Sequence, residues 1–133
     1  MRIVIVDDDR ALLESLSVIL AQEGHVVRVL NNSRNALAYF ETVAEPDVLI
    51  LDYLLPDGTG CELLVRLRDR LPAGCRVIMT SGHTDLLDFD ELKRLGVDAF
   101  LAKPVDLERL FELLDDQAVR IAAQAGSKLF TDV

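Results

Sequence analysis

The sequence has few cysteines and no long apolar run. Cys61 and Cys75 are the only two cysteines and lack the CxxC spacing, so without an export signal a disulfide framework is not expected. Both are predicted to be free thiols that fill small apolar sites. The first apolar stretch, Ile3 to Val6, ends at aspartates and is too short for a signal-peptide core or a membrane span. We therefore expect a cytoplasmic protein without a membrane segment.

Positive charge is also scarce. There are 14 Lys and Arg residues against 23 Asp and Glu, which gives a net charge of -9. A surface that binds nucleic acid needs clustered cations to displace counterions from phosphates, so no direct nucleic-acid contact is expected. The 133 residues, half of them hydrophobic, suit one domain with a substantial core.

Short apolar, β-branched runs alternate with stretches whose apolar residues recur at helical spacing, which predicts an α/β fold of five βα units. The first, third and fourth runs are apolar at nearly every position, as in central strands of a parallel sheet. The second contains His25 and Arg28, which favours an edge position. The five predicted strands are Ile3 to Val6, Val26 to Leu30, Val48 to Leu51, Val77 to Met79, and Ala99 to Ala102.

The helical stretches carry start and stop signals. Ser33 is a predicted N-cap of the second helix, and Gly24 is a predicted C-terminal cap of the first. The fifth helix is predicted from Asp106 to Ala125, with Gly126 breaking the pattern, and would be roughly 30 Å long. A short coiled-coil seam or an ordinary amphipathic helix fits its apolar spacing, and the second is favoured because fewer than about three heptads are present.

Polar side chains stand where four of the predicted strands end. Because ligands bind at the carboxyl ends of strands in an open parallel sheet, these residues predict a site at one edge. Clustered carboxylates repel unless a cation neutralises them. Oxygen ligands suit Mg²⁺, whereas no cysteine and no pair of histidines stands at these strand ends to bind zinc. The strand-end residues are Asp7, Asp8, Asp52, Thr80, Ser81 and Lys103.

Asp52 is the candidate nucleophile of this predicted site. With a metal ion and the Lys103 ammonium holding phosphoryl oxygens, its carboxylate could attack phosphorus in line and form an aspartyl phosphate. Taken singly, each residue also has a structural explanation, since a strand-end Asp is often a helix N-cap.

Four segments, in this order and at these spacings, resemble the receiver domain of bacterial two-component response regulators, similar to the chemotaxis regulator. The segments are Val6-Asp7-Asp8-Asp9, Leu51-Asp52-Tyr53-Leu54-Leu55-Pro56-Asp57-Gly58, Met79-Thr80-Ser81-Gly82, and Gly96-Val97-Asp98-Ala99-Phe100-Leu101-Ala102-Lys103-Pro104. The resemblance implies a flavodoxin-like (βα)5 three-layer sandwich with a parallel sheet of order 2-1-3-4-5. It covers residues 2 to about 116.

The resemblance also implies the roles of the acidic residues. Asp52 would accept a phosphoryl group from the phosphohistidine of a sensor histidine kinase or phosphotransfer protein. Asp8, Asp52 and the Leu54 carbonyl would bind Mg²⁺ directly, and Asp7 would act mostly through water. Lys103 would contact the phosphoryl group, so that the protein catalyses only its own phosphorylation and dephosphorylation.

A switch is implied by the same resemblance. Thr80 would move to the phosphoryl group and Phe100 would turn into the space that Thr80 leaves, which changes the face formed by the fourth helix, fifth strand and fifth helix. A cis peptide before Pro104 is expected.

The sequence departs from the family pattern at a few positions. Phe100 replaces the frequent Tyr, and Leu55 stands where Met is common. Leu54 and Gly82, beside the position of the hydrolytic water, offer no side-chain acid or amide, so we expect slow loss of the phosphoryl group. His83 is interpreted as a loop side chain rather than a phosphotransfer residue.

The predicted organisation is a receiver domain over residues 1–116, followed by an extension of the fifth helix and a tail or truncated linker over residues 117–133. An effector domain absent from this chain is expected as one output. A homodimer through the fourth-helix, fifth-strand and fifth-helix face, or through the extended helix, is another expectation.

Three alternatives remain at this point. A pseudo-receiver would keep the fold as an interaction module without being phosphorylated. A haloacid-dehalogenase-type phosphatase would use Asp7 and Asp9 as its Asp-x-Asp pair, but Asp52 would then be unexplained. A flavodoxin-like cofactor site is disfavoured because the three aspartates of the first loop would repel a phosphate.

Overall fold

The computed structural model describes residues 1–42 and 45–131, with side chains through residue 126. Five strands form one sheet, and five helices connect or follow them. The strands are β1 (Arg2–Val6), β2 (Val26–Leu30), β3 (Val48–Asp52), β4 (Arg76–Ser81) and β5 (Ala99–Ala102). The helices are α1 (Arg10–Gln22), α2 (Ser33–Thr42), α3 (Gly60–Leu67), α4 (Phe89–Arg94) and α5 (Leu107–Thr131).

The five strands pair in parallel in the order β2-β1-β3-β4-β5. This is the predicted order 2-1-3-4-5, and β2 lies at an edge as its polar residues indicated. Two two-residue strands, Leu54–Leu55 and Gly58–Thr59, pair with each other as a small antiparallel hairpin outside this sheet. We refer to residues 54–59 as the β3–α3 hairpin.

Apolar residues cover both faces of the sheet, which makes a three-layer sandwich. Along β1, Val4 and Val6 face one apolar cluster while Ile3 and Ile5 face the other, as the two-residue period of a strand requires. One cluster includes side chains of α2, α3 and α4, and the other includes those of α1 and α5. The flavodoxin-like fold class is confirmed.

The second helix begins differently from the prediction. Ser33 is its first helical residue, and the cap is Asn32, whose side-chain oxygen accepts a hydrogen bond from the Asn35 backbone at 2.7 Å. Asn and Ser are similar N-caps, so the local sequence did not separate the two positions. Gly24 has a φ of 90°, which agrees with its predicted capping role.

The predicted end of the fifth helix at Ala125 is wrong, because α5 continues through Gly126 to Thr131. One glycine inside a helix costs about 1 kcal/mol relative to alanine, which is too little to end a helix already formed. Asp106 caps the helix by accepting hydrogen bonds from the Glu108 and Arg109 backbone amides. Its stripe of Leu110, Leu113 and Leu114 is buried against the sheet, as in an ordinary amphipathic helix.

Both cysteines are free, as predicted, with Cys75 buried and Cys61 half-buried. Among the described residues, no helix combines the length and the apolar character needed to cross a bilayer.

Candidate functional site

Three carboxylates meet at the carboxyl ends of β1 and β3. Asp7, Asp8 and Asp52 each offer an oxygen, and these oxygens all lie within 4.8 Å of one another. Asp7 and Asp52 are 2% and 6% exposed, whereas Asp8 is exposed to solvent. Lys103 contacts two of these carboxylates, with its Nζ 2.8 Å from Asp7 Oδ2 and 3.0 Å from Asp52 Oδ2.

Strand pairing brings these residues together. Asp52 is the last residue of β3 and lies opposite Thr80 of β4. The Asp7 backbone N–H donates to the Leu30 carbonyl, and the Lys103 N–H donates to the Ser81 carbonyl, so each side chain is fixed just beyond a strand. Sequence reasoning placed all of these side chains at one edge of the sheet, and the structure brings them together there.

The cluster perturbs the protonation of its members. Burial raises the pKa of Asp52, the Asp7 charge adds to that effect, and the hydrogen bond from Lys103 only partly opposes it. For Lys103, burial lowers the pKa, but the hydrogen bonds to Asp7 and Asp52 outweigh burial, so the pKa is raised overall. One ammonium therefore faces three carboxylates, which leaves an excess of negative charge.

This donor set suits a hard divalent cation. All three side chains present carboxylate oxygens, the ligands that Mg²⁺ prefers, and the exposed Asp8 leaves the cluster open to solvent for the waters that Mg²⁺ retains. Leu54, the fourth predicted ligand through its carbonyl, lies two residues from Asp52 in the β3–α3 hairpin.

Thr80 and Phe100, the predicted switch pair, lie on neighbouring strands. Thr80 is 2% exposed, and its hydroxyl has no hydrogen-bond partner within residues 1–42 and 45–131. Buried polar atoms are normally paired, and an orphan can mark a place where a ligand binds. Phe100 is partly buried and packs edge-on against Phe89 of α4, with ring centroids 5.3 Å apart. Sequence reasoning missed Phe89, whose position in a short helix gave no signal.

Gly60 is a second residue that sequence reasoning missed. It is the first residue of α3, and its backbone N–H donates to the Tyr53 carbonyl at 2.7 Å. A Cβ atom at this position would overlap the Asp52 carbonyl oxygen, so no residue with a side chain fits here without a backbone shift. Because Gly60 has no side chain, the first turn of α3 can pack against the backbone of Asp52. A glycine opening an apolar helix was the available signal.

Other predicted residues take different places. The Asp9 side chain caps α1 by accepting from the Leu12 N–H at 3.1 Å. It is not one of the three carboxylates of the cluster formed by Asp7, Asp8 and Asp52. His83 is exposed in the loop after β4, and its backbone N–H donates to Ser81 Oγ. The peptide bond between Lys103 and Pro104 is cis, in agreement with the expectation.

The sequence is similar to known regulators. Its residues 3–115 match the family model described as the response regulator receiver domain. It is 34% identical over 110 residues to the transcriptional regulatory protein TrcR of Mycobacterium tuberculosis, covering 83% of this chain and 42% of that protein. It is 31% identical over 113 residues to the DNA-binding transcriptional regulator NtrC of Azospirillum brasilense, covering 85% of this chain and 23% of that protein. The chain thus spans less than half the length of these relatives.

Solved structures share the fold. A receiver domain protein from Methanospirillum hungatei is 36% identical, with a TM-score of 0.77 and coverage of 90% of this chain and 97% of that one. The N-terminal domain of an uncharacterized protein from Wolinella succinogenes is 32% identical, with a TM-score of 0.83 and coverage of 93% and 98%. From the family match over residues 3–115 and this fold, the chain belongs to the response regulator receiver domains of two-component systems.

Proposed function

We propose that this chain is a phosphoacceptor switch in which Asp52 takes a phosphoryl group from the phosphohistidine of a sensor histidine kinase or phosphotransfer protein. The observation that carries the proposal is the meeting of Asp7, Asp8 and Asp52 with the Lys103 ammonium at one edge of the sheet. A group of carboxylates around a single cation is electrostatically unfavourable by itself, so it indicates a site built for an additional cation and a charged ligand.

In the proposed reaction, an Asp52 carboxylate oxygen forms a bond to phosphorus as the phosphorus–nitrogen bond of the donor histidine breaks. The electron pair of that bond passes to the ring nitrogen, and the imidazole leaves neutral because its other nitrogen carries a proton. Asp8, Asp52 and the Leu54 carbonyl would hold Mg²⁺, with Asp7 acting through water. When bound, Mg²⁺ supplies positive charge that offsets the charges of the carboxylates and the phosphoryl oxygens.

Lys103 lies close enough to Asp52 to contact the phosphoryl group once it is transferred. Its Nζ already contacts Asp52 Oδ2 at 3.0 Å, so a short movement takes it to a phosphoryl oxygen. Because the Lys103 pKa is raised, the side chain stays protonated at neutral pH. It therefore provides a permanent charge at the phosphoryl group rather than a base.

Thr80 would respond to phosphorylation of Asp52. Among the residues that the structure describes, its hydroxyl has no acceptor, and a phosphoryl oxygen on the neighbouring Asp52 would supply one. Phosphorylation adds up to about two negative charges, so it favours the arrangement in which Thr80 turns toward them. Phe100 would then move inward, which alters the face made by α4, β5 and α5.

The output is proposed from the relatives. TrcR and NtrC are transcriptional regulators of which this chain matches only a part, so we propose that this domain controls an effector domain or a partner protein. Self-association through the α4-β5-α5 face or through α5 is a further route.

The phosphatase alternative is disfavoured by Asp9, which caps α1 instead of joining Asp7 as the second acid of an Asp-x-Asp pair. The phosphorylation experiment described next distinguishes the phosphoacceptor from the pseudo-receiver alternative.

Incubation with Mg²⁺ and phosphoramidate or acetyl phosphate, followed by intact-mass measurement, tests the proposal. The wild type is expected to gain one phosphate-sized increment that requires Mg²⁺ and disappears in EDTA. Asp52→Asn should not gain it, whereas Asp115→Asn, an exposed aspartate on α5, should behave as the wild type. No increment in the wild type would show a pseudo-receiver, and an increment retained by Asp52→Asn would show that another residue, such as Asp7, is the acceptor.

A further inference from the structure

Asp57 joins the tip of the β3–α3 hairpin to the start of α2. It lies in the turn between the paired strands Leu54–Leu55 and Gly58–Thr59. Its Oδ1 accepts a hydrogen bond from the Ser33 backbone N–H at 2.8 Å, and its Oδ2 accepts one from the Arg34 N–H at 3.0 Å. Both carboxylate oxygens are therefore used, across 24 and 23 residues of chain.

The two hydrogen bonds give acceptors to N–H groups at the start of α2. The first N–H groups of a helix have no partner inside it, and they form its positive end. The Asn32 side chain accepts only from the Asn35 N–H, and Asp57 supplies the acceptors for the N–H groups of Ser33 and Arg34. These hydrogen bonds lower the pKa of Asp57, with the Ser33 amide contributing most, and the carboxylate is charged at neutral pH.

The hairpin that Asp57 holds also contains Leu54. The base of the hairpin is fixed by hydrogen bonds from Tyr53 N–H to the Thr80 carbonyl and from Gly60 N–H to the Tyr53 carbonyl. Thr59 and Glu62 form a capping box at the start of α3. Between these points the hairpin has two residues per strand, and a hairpin this short is not stable by itself. The two hydrogen bonds that Asp57 accepts attach the tip of the hairpin to α2 in the packed domain.

We propose that Asp57 is a positioning residue for the phosphoacceptor site, because it holds the β3–α3 hairpin at the place where the Leu54 carbonyl serves as a metal ligand. This inference rests on the proposed function. Mg²⁺ demands near-octahedral geometry at short distances, so displacement of one ligand weakens binding. Groups that orient metal ligands from outside typically change metal affinity about 10- to 100-fold when they are removed.

Calorimetric titration of the unphosphorylated full chain with Mg²⁺ tests this inference, independently of phosphoryl transfer. Asp57→Ala removes both acceptors and should weaken Mg²⁺ binding about tenfold. Asp57→Asn keeps one acceptor oxygen and should fall between Asp57→Ala and the wild type. Asp88→Asn is the control, because Asp88 also accepts from two backbone amides at the start of a helix, those of Asp90 and Glu91 in α4, but lies outside the hairpin.

Amide hydrogen exchange distinguishes positioning from general stability. In Asp57→Asn, faster exchange is expected at residues 54–59 and at the start of α2, with the central strands unchanged. Wild-type Mg²⁺ affinity in both Asp57 variants would overturn the inference and reduce Asp57 to a helix cap. If Asp88→Asn weakened Mg²⁺ binding as much as Asp57→Asn does, the inference would also be overturned. The loss of any helix cap would then explain the weaker binding. A wild type that binds no Mg²⁺ would instead overturn the proposed function on which the inference rests.

Discussion

Thr80 shows at the level of one residue how a functional group can oppose stability. Its hydroxyl is buried without a partner in the described part of the chain, although valine would fill the same space without a polar atom. An unsatisfied buried polar group costs about 1–3 kcal/mol. The presence of the Thr80 hydroxyl is explained if it gains a hydrogen-bond partner only after Asp52 is phosphorylated.

We therefore predict that Thr80→Val raises the free energy of unfolding by about 1 kcal/mol, measured by urea denaturation of the unmodified protein. The phosphate adduct should still form, because Asp52 and Lys103 are unchanged, but the inward movement of Phe100 proposed to follow phosphorylation should be lost. Thr80→Ala is the control for cavity formation and should be less stable than Thr80→Val. A destabilised Thr80→Val would show that the hydroxyl is already satisfied, for example by water.

The α5 helix is held to the sheet by polar contacts as well as by its leucines. Gln117 is 2% exposed, and its Nε2 donates to the carbonyls of Asp47 at 2.9 Å and Gly74 at 2.8 Å. These carbonyls lie just before β3 and β4. Asp116 also receives the Arg76 guanidinium at 2.6 Å from the beginning of β4. The contacts join α5 to the sheet at the end opposite the acidic cluster.

Replacement of Gln117 by Leu should lower the free energy of unfolding by roughly 1 kcal/mol, because the two hydrogen bonds of the buried amide are lost, whereas the side-chain volume is nearly kept and the Asp47 carbonyl still accepts from the Arg76 N–H. The expected signature is a lower urea midpoint with an unchanged slope. Gln124→Leu, an exposed position on the same helix, should change stability by less than about 0.5 kcal/mol. Equal effects of the two substitutions would contradict this role of Gln117.

For the molecule as a whole, the acidic cluster adds local repulsion to a chain that already carries a net charge of -9. The pKa of Asp52 is raised by burial and by Asp7, which means that its charged form is less favourable in the folded state than in the unfolded chain. Without a divalent cation, the contribution of Asp52 to stability therefore falls as pH rises from the usual carboxyl pKa of about 3.9 through the higher folded-state value.

Asp52→Asn should accordingly be more stable than the wild type at pH 7 in EDTA, and the difference should shrink toward zero as pH falls below about 4. Mg²⁺ should narrow or reverse the difference, since about 2.7 kcal/mol of stabilisation is expected at 100 times the dissociation constant for the protein that binds it. Thermal unfolding across pH, with and without Mg²⁺, measures both effects. A constant difference at all pH values would refute the electrostatic origin.

Much of this structure could be predicted from local patterns. The apolar runs identified five strands, and His25 with Arg28 indicated the edge position of β2. Helix ends were less secure: Asn32 rather than Ser33 caps α2, and α5 passes Gly126. Adjacent polar residues compete as caps with similar energies, and one glycine is outweighed by the helix around it. Phe89 and Gly60 were missed because their roles depend on neighbours that are distant in the sequence.

The sequence by itself determined the strands, their burial and the edge where Asp7, Asp8, Asp52, Thr80 and Lys103 gather. These follow from the two-residue period of a strand and from the common direction of parallel strands, which are local properties of the chain. Only the tertiary structure decided that Lys103 contacts both Asp7 and Asp52, that the Thr80 hydroxyl has no partner in the described part of the chain, and that Asp57 accepts from the amides of α2. Such contacts depend on how packed layers bring distant segments within a few ångströms, and no local pattern encodes that distance.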